Sequence, residues 1–354
     1  MKPITWKPIL KSALARIWKL ILKLFSAGTW KPLLKLFSAG TWKPLLKRTF
    51  AFILKYGKLL AVSAAIVIAI GVIALVFYRR PPVLVVTDAP FIELYGKDRL
   101  RRQRIASSFA LLRRVKPVIT ADGASPDLIV AAISGAAQKP YCVLFPSYLA
   151  PAAGRYHLEF PEIKAVILCG YSVSSSLPKP DGVLCVYRTD LNTDMYRAGL
   201  FAGILGLKKS SEGAKKTCFL WQDRNIQAQD REVFSKGLKE SDPDAVARFA
   251  NYASDIPGSD SISCAVLTRS GADYLDKNPK TPLILFTWLD PYMLPAETVA
   301  VFDDSTWALV VPATRMAANS QAEGKIPSKP IVFSGETADN RIDRILKRLA
   351  KKMP

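Results

Sequence analysis

Twenty consecutive residues without a charge, LLAVSAAIVIAIGVIALVFY from Leu59 to Tyr78, constrain this chain more than any other feature. At about 1.5 Å per residue such a helix is about 30 Å long, the thickness of the hydrocarbon layer of a bilayer. A buried core helix is the competing reading, but core helices rarely run so far without a polar face. Lys58 bounds the stretch on one side, and Arg79, Arg80, Pro81 and Pro82 bound it on the other. The pattern predicts one membrane-spanning helix. Residues 1–58 hold 13 Lys and Arg and no Asp or Glu, so the positive-inside rule places them in the cytoplasm and residues 79–354 across the membrane. A cleavable signal peptide has a short basic region and a small-x-small cleavage site. Here the apolar stretch ends in Phe77-Tyr78-Arg79. The expectation is an uncleaved signal anchor in a cell (inner) membrane, with the carboxyl-terminal domain periplasmic or extracellular.

The formal charge is +21; removing the 13 cations of the tail leaves +8 for the other residues. Basicity is mostly a property of the tail, which argues against nucleic acid as the partner of the whole protein. The tail is built on a repeat. Residues 24–35 read LFSAGTWKPLLK and residues 36–47 are identical, while Trp6, Trp18, Trp30 and Trp42 keep the same spacing. Pro8, Pro32 and Pro44 suit the first turns of short helices, and Gly28 and Gly40 suit their ends. Within Ile9 to Phe25, Leu10, Leu14, Ile17, Ile21, Leu24 and Phe25 share one helical face, with Arg16, Lys19 and Lys23 opposite. That is the pattern of an interfacial amphipathic helix, and residues 1–50 are expected to bind an anionic lipid surface. Repeat expansion without a selected role and nucleic-acid binding are the alternatives.

From Pro82 the rhythm changes to short β-branched runs alternating with helical stretches. Strands are expected at Val83–Thr87, Leu128–Ala132, Tyr141–Phe145, Ala165–Cys169, Val183–Tyr187, Thr217–Trp221, Ala245–Ala250, Cys264–Thr268, Pro282–Thr287 and Val299–Phe302. Helices are expected at Lys97–Val115, Asn192–Leu207, Ile226–Glu240, Ser305–Ala318 and Asn340–Lys352. Such alternation predicts an α/β protein with parallel sheets covered on both faces. This many strands suits two doubly wound lobes, the first from about 83 to 187 plus a carboxyl-terminal return and the second from about 190 to 302. The five cysteines, Cys142, Cys169, Cys185, Cys218 and Cys264, each sit in an apolar run and read as small buried hydrophobes.

Open parallel sheets bind ligands beyond the carboxyl ends of their strands. The residues at those ends are polar or aromatic: Asp88 with Phe91 nearby, Tyr171, Arg188 with Asp190, Asp223, Trp288, and Asp303 with Asp304. Carboxylates and a guanidinium can fix hydroxyls, and aromatic faces can stack on a sugar or base. An Asp after a strand is also an ordinary helix N-cap. The segments YRTDLNTDMYRAGLFAGILG, FLWQDRNIQAQDREVFSKGLKE and VAVFDDSTWALVVPATRMA resemble the lobe-crossing regions of type I periplasmic binding proteins, nearest the basic membrane protein and ribose-binding branches. The resemblance covers about residues 83–352. It implies Asp88, Asp190 and Asp303 as ligand-facing acids and Phe91 and Trp288 as stacking faces. Proteins of that family are usually free or lipidated, whereas this chain carries a helix and a long tail.

Nothing points to an enzyme. His157 is the only histidine and is expected in a strand, so a hydrolytic triad would have to use it. No metal-binding or phosphate-loop motif occurs, and no cofactor or metal is expected. Gly199, Gly203 and Gly206 read as close helix–sheet packing. The expected role is a membrane-tethered extracytoplasmic binding protein for a small polar ligand, a sugar or nucleoside, that supplies a transporter or sensor. The alternatives are an envelope structural or interaction protein that kept the fold without the ligand, and a hydrolase.

Overall fold

VLVVTD, from Val83 to Asp88, forms the first strand, β1, and its first five residues are all buried. A strand buried on both faces reads as a continuous apolar run, which is what central strands of a parallel sheet require. The computed structural model describes residues 67–68, 71–72, 75, 77–137, 139–171, 177–206, 217–221, 227–250, 264–267, 281–286, 297–333 and 340–352. The repeat tail and most of Leu59–Tyr78 lie outside the described residues. Residues 67–68, 71–72, 75 and 77–79 are helical, with Val67, Val72, Leu75 and Tyr78 exposed. Among the described residues no helix is long and apolar enough to cross a membrane. The chain divides into Met1–Leu75 and Val76–Pro354, and every described strand lies in the second part.

Lobe one begins with β1, α1 (Ala89–Tyr95) and α2 (Lys97–Leu111). It continues through β2 (Val115–Thr120), α3 (Pro126–Ala136), β3 (Cys142–Pro146), α4 (Ala150–Glu159), β4 (Lys164–Cys169) and β5 (Leu184–Thr189). Lobe two holds α5 (Leu191–Gly206), β6 (Thr217–Trp221), α6 (Ala228–Ser241), β7 (Val246–Ala250), β8 (Cys264–Leu267), β9 (Leu283–Leu285) and β10 (Thr298–Asp303). The chain then returns through α7 (Thr306–Ala318) and β11 (Glu323–Ile326), and closes with β12 (Lys329–Val332) and α8 (Asn340–Lys352).

The first sheet has the order β11-β5-β4-β3-β1-β2 and the second β12-β10-β9-β8-β6-β7. Each therefore repeats one doubly wound order, with its first strand beside its second and third. All pairings are parallel except β10 with β12. One apolar cluster fills lobe one between the sheet and α1, α2 and α7; a second lies under α3 and α4. A third, around Phe201, Phe234, Phe286 and Phe302, holds lobe two together with Ile342 and Leu346 of α8. Each such side chain contributes about 1.5–3 kcal/mol by leaving water. Cys142, Cys169, Cys185 and Cys264 are buried, as their apolar settings imply.

The structure overturns four readings. Leu128–Ala132 is not a strand but part of α3, where Ser125 caps the helix through Leu128 N and Pro126 sits at its start. His157 lies in the last turn of α4 rather than a strand. The helix expected over Lys97–Val115 stops at Leu111, and Val115 opens β2. Gly199 and Gly203 pack against a helix, not a sheet: a Cβ on Gly199 would lie 2.2 Å from the Phe234 carbonyl oxygen, and one on Gly237 would lie 2.1 Å from that of Tyr196.

Candidate functional site

Three crossovers join the lobes, all at the carboxyl edges of the parallel strands. The first runs from Thr189 through Asp190 into α5, the second from Asp303 into α7, and the third from Ile326 to Lys329. Asp190 caps α5: its carboxylate accepts from Thr193 N at 3.3 Å and Thr193 Oγ1 at 2.7 Å, while its own N–H donates to Ile326 O at 2.9 Å. The first and third crossovers are thus tied by backbone.

A buried polar cluster locks them further. Asp194, fully buried in the first turn of α5, accepts from Ser328 N at 2.9 Å and from the Tyr171 hydroxyl at 2.9 Å. The same hydroxyl lies 3.0 Å from Ser328 Oγ, and Tyr171 N donates to Asp304 Oδ2 at 3.2 Å. Arg197 donates to Ser328 O at 3.3 Å and stands 3.6 Å from Asp194. Burial outweighs these partners and pushes the Asp194 carboxyl up to about 6. Burial, with Asp194 and Asp304 beside it, holds the Tyr171 hydroxyl firmly protonated. The chemistry of this cluster is positional: it fixes the path of the chain between lobes.

Asp303 is also committed internally. Arg99 of α2 pairs with it at 2.7 Å, the Tyr95 hydroxyl donates to it at 3.2 Å, and Ser305 N donates at 3.0 Å. Phe91 is buried in the lobe-one core and stacks on Tyr95 with centroids 5.1 Å apart. Arg188 is exposed near the carboxyl end of β5, in register with Cys169 and Lys325. Asp223 and Trp288 lie outside the described residues.

Asp88 has a different setting. It ends β1, next to β3 in the sheet, where the strand order reverses direction; doubly wound sheets open a crevice at such a point. Asp88 accepts from Phe91 N at 2.9 Å, capping α1. Tyr148, just beyond β3 and half exposed, lies near the Asp88 carboxylate, and desolvation together with that acid keeps its proton in place. Thr87 beside it is buried, with a hydroxyl that has no hydrogen-bond partner among the described residues. A carboxylate and a phenolic hydroxyl at a switch point can recognise a hydroxylated ligand.

His157 stands apart, pairing with Asp181 at 2.8 Å at the amino edge of the sheet, away from this crevice. Among the described residues no group of three or more His, Cys, Asp or Glu could hold a metal. Sequence reading passed over Asp194, Arg197, Ser328 and Tyr148.

Two lobes with one repeated strand order, joined by three crossovers, make a type I periplasmic-binding-protein-like fold. No family model matches the sequence and no curated protein is similar to it. Similar solved structures include an ABC transporter solute-binding protein from Conexibacter woesei, 14% identical, with 77% of this chain and 96% of that one aligned at a TM-score of 0.47. A transcriptional activator of the comK gene from Bacillus halodurans is 11% identical, with coverage of 77% and 97% and a TM-score of 0.45. A periplasmic ribose ABC transporter protein, also from Conexibacter woesei, is 12% identical, with coverage of 75% and 95% and a TM-score of 0.42.

Proposed function

We propose that this chain is a membrane-tethered solute-binding protein whose lobes close over a small polar ligand, a sugar or nucleoside, and present it to a transporter or sensor. The observation that carries this reading is the approach of Tyr148 to Asp88 at the switch point of lobe one. A ligand touching both lobes favours the closed arrangement by its extra contacts there. The tether is the apolar stretch ending at Tyr78, with residues 1–58 in the cytoplasm and the two lobes outside; residues 1–50 add affinity for an anionic surface.

One observation favours a second reading, a fold kept without its ligand. All three acids implied to face a ligand are engaged within the fold, Asp88 and Asp190 as helix caps and Asp303 by Arg99. A melting screen of the full chain in nanodiscs against monosaccharides and nucleosides separates the two. A true ligand at a hundred times its Kd should add about 2.7 kcal/mol of stability. Tyr148→Phe, which removes only a hydroxyl, should weaken that gain. If no compound of either class raises the melting temperature, the second reading stands.

A further inference from the structure

The segment that follows the apolar stretch is held against lobe one. Arg113 donates to Pro81 O at 3.3 Å, Val83 N donates to Arg114 O at 2.9 Å, and the Arg114 guanidinium lies 5.5 Å from the centre of the Tyr78 ring. Tyr78 is the last residue of that stretch. The amino edge of the first sheet is therefore the edge from which the chain leaves toward the membrane, if the tether reading holds, and the inference rests on it.

That edge has an unusual surface. α2 runs down to it and ends in Phe109, 70% exposed, and Leu112, 50% exposed. Leu112 also takes a left-handed backbone conformation, φ 49°, at the helix end, a position where glycine is usual. The molecule thus keeps a leucine where the backbone disfavours one and where folding gives its side chain half a burial. Arg79 and Lys139 are exposed at the same edge, next to Arg113 and Arg114, while the carboxylates Glu159 and Glu162 bound it on the β4 side.

We propose that the amino edge of lobe one is a bilayer-facing footprint, in which Phe109 and Leu112 enter the interface and Arg79, Arg113, Arg114 and Lys139 meet anionic phospholipid headgroups. Exposed apolar groups rimmed by cations have the chemistry of an interfacial site. The six residues of β1 then raise the ligand crevice about 20 Å above that surface. Because all three crossovers leave from the far edge, lobe one lies between the bilayer and lobe two, and lobe two is the part free to move.

The test uses the full chain in vesicles carrying a headgroup nitroxide quencher, with and without phosphatidylglycerol. A fluorophore is attached at Phe109→Cys or, as a control at the opposite edge, at Leu128→Cys, which is also exposed. The label at 109 should be quenched about three-fold more than the label at 128, and more strongly with phosphatidylglycerol. Equal quenching in protein that floats with the vesicles overturns the footprint and leaves the tether standing. Protein that does not float overturns both. Preferential quenching at 109 that ignores phosphatidylglycerol overturns the choice of an anionic surface.

Discussion

Asp194 is a carboxylate closed off from water, ringed by one backbone N–H, two hydroxyls and Arg197. Its folded pKa of about 6 lies above the ordinary 3.8, so the native state binds the proton more tightly than the unfolded chain does. That preference stabilises the fold fully below about pH 4 and is lost as pH rises through about 6, an effect of about 2–3 kcal/mol. Urea unfolding of Asp194→Asn should lack this component. The stability of the wild type relative to the variant should thus fall between pH 4 and pH 7; a difference that stays flat would show that the burial of Asp194 is not coupled to its charge. At this scale the sequence was partly legible. Asp88 stood out because a strand ends there, and the same cue found Asp190 and Asp303. The same cue marks helix caps, so it could not separate a ligand-facing acid from one bonded three residues on to Thr193, nor foresee Arg99, whose approach is set by how α2 packs. Asp194 gave no signal at all: its partner Ser328 is 134 residues away, and an acid in a first helical turn is ordinary.

Helices α5 and α6 approach each other closely. Gly199 and Gly237 let the two backbones approach until each occupies the space of the other's missing Cβ. Backbone cannot swing aside as a side chain can, so Gly199→Ala should destabilise the protein by about 1–3 kcal/mol or more. Gly135 in α3 meets nothing within 4 Å, and Gly135→Ala should instead stabilise by up to about 1 kcal/mol through helix propensity. Calorimetry of the pair checks this; a like response at both sites would mean that close approach is not what Gly199 serves. Most elements could be read from period and composition, and Asn340–Lys352 was bounded correctly. The failures have definite causes. LIVAA of α3 is apolar throughout and short, so its period is hidden and Ser125 as a cap outweighed β propensity. Strand β2 carries Lys116 and Pro117 at the sheet border, and β11 and β12 are four-residue edge strands with charges, so none shows an apolar run.

At the scale of the molecule, the repeated strand order gives each lobe a core of its own, and three short crossovers link the two. Rigid bodies on short links move by hinge rotation, because packed cores resist continuous deformation. The alternation of strands and helices made two lobes legible from the sequence, and the resemblance placed the crossovers after Asp190 and Asp303; the third, from Ile326 to Lys329, was not legible because β11 and β12 show no apolar run. Lobe closure on a ligand is the centre of the account. It is measured most directly as the distance between spin labels at Leu128→Cys in lobe one and Lys236→Cys in lobe two, both exposed, in the full chain with Cys218→Ala; Cys142, Cys169, Cys185 and Cys264 are buried. Adding a pool of monosaccharides and nucleosides should shift the distance distribution to a shorter, narrower one, and the shift should be lost in Tyr148→Phe. A single distribution that is unchanged by the pool would contradict the account.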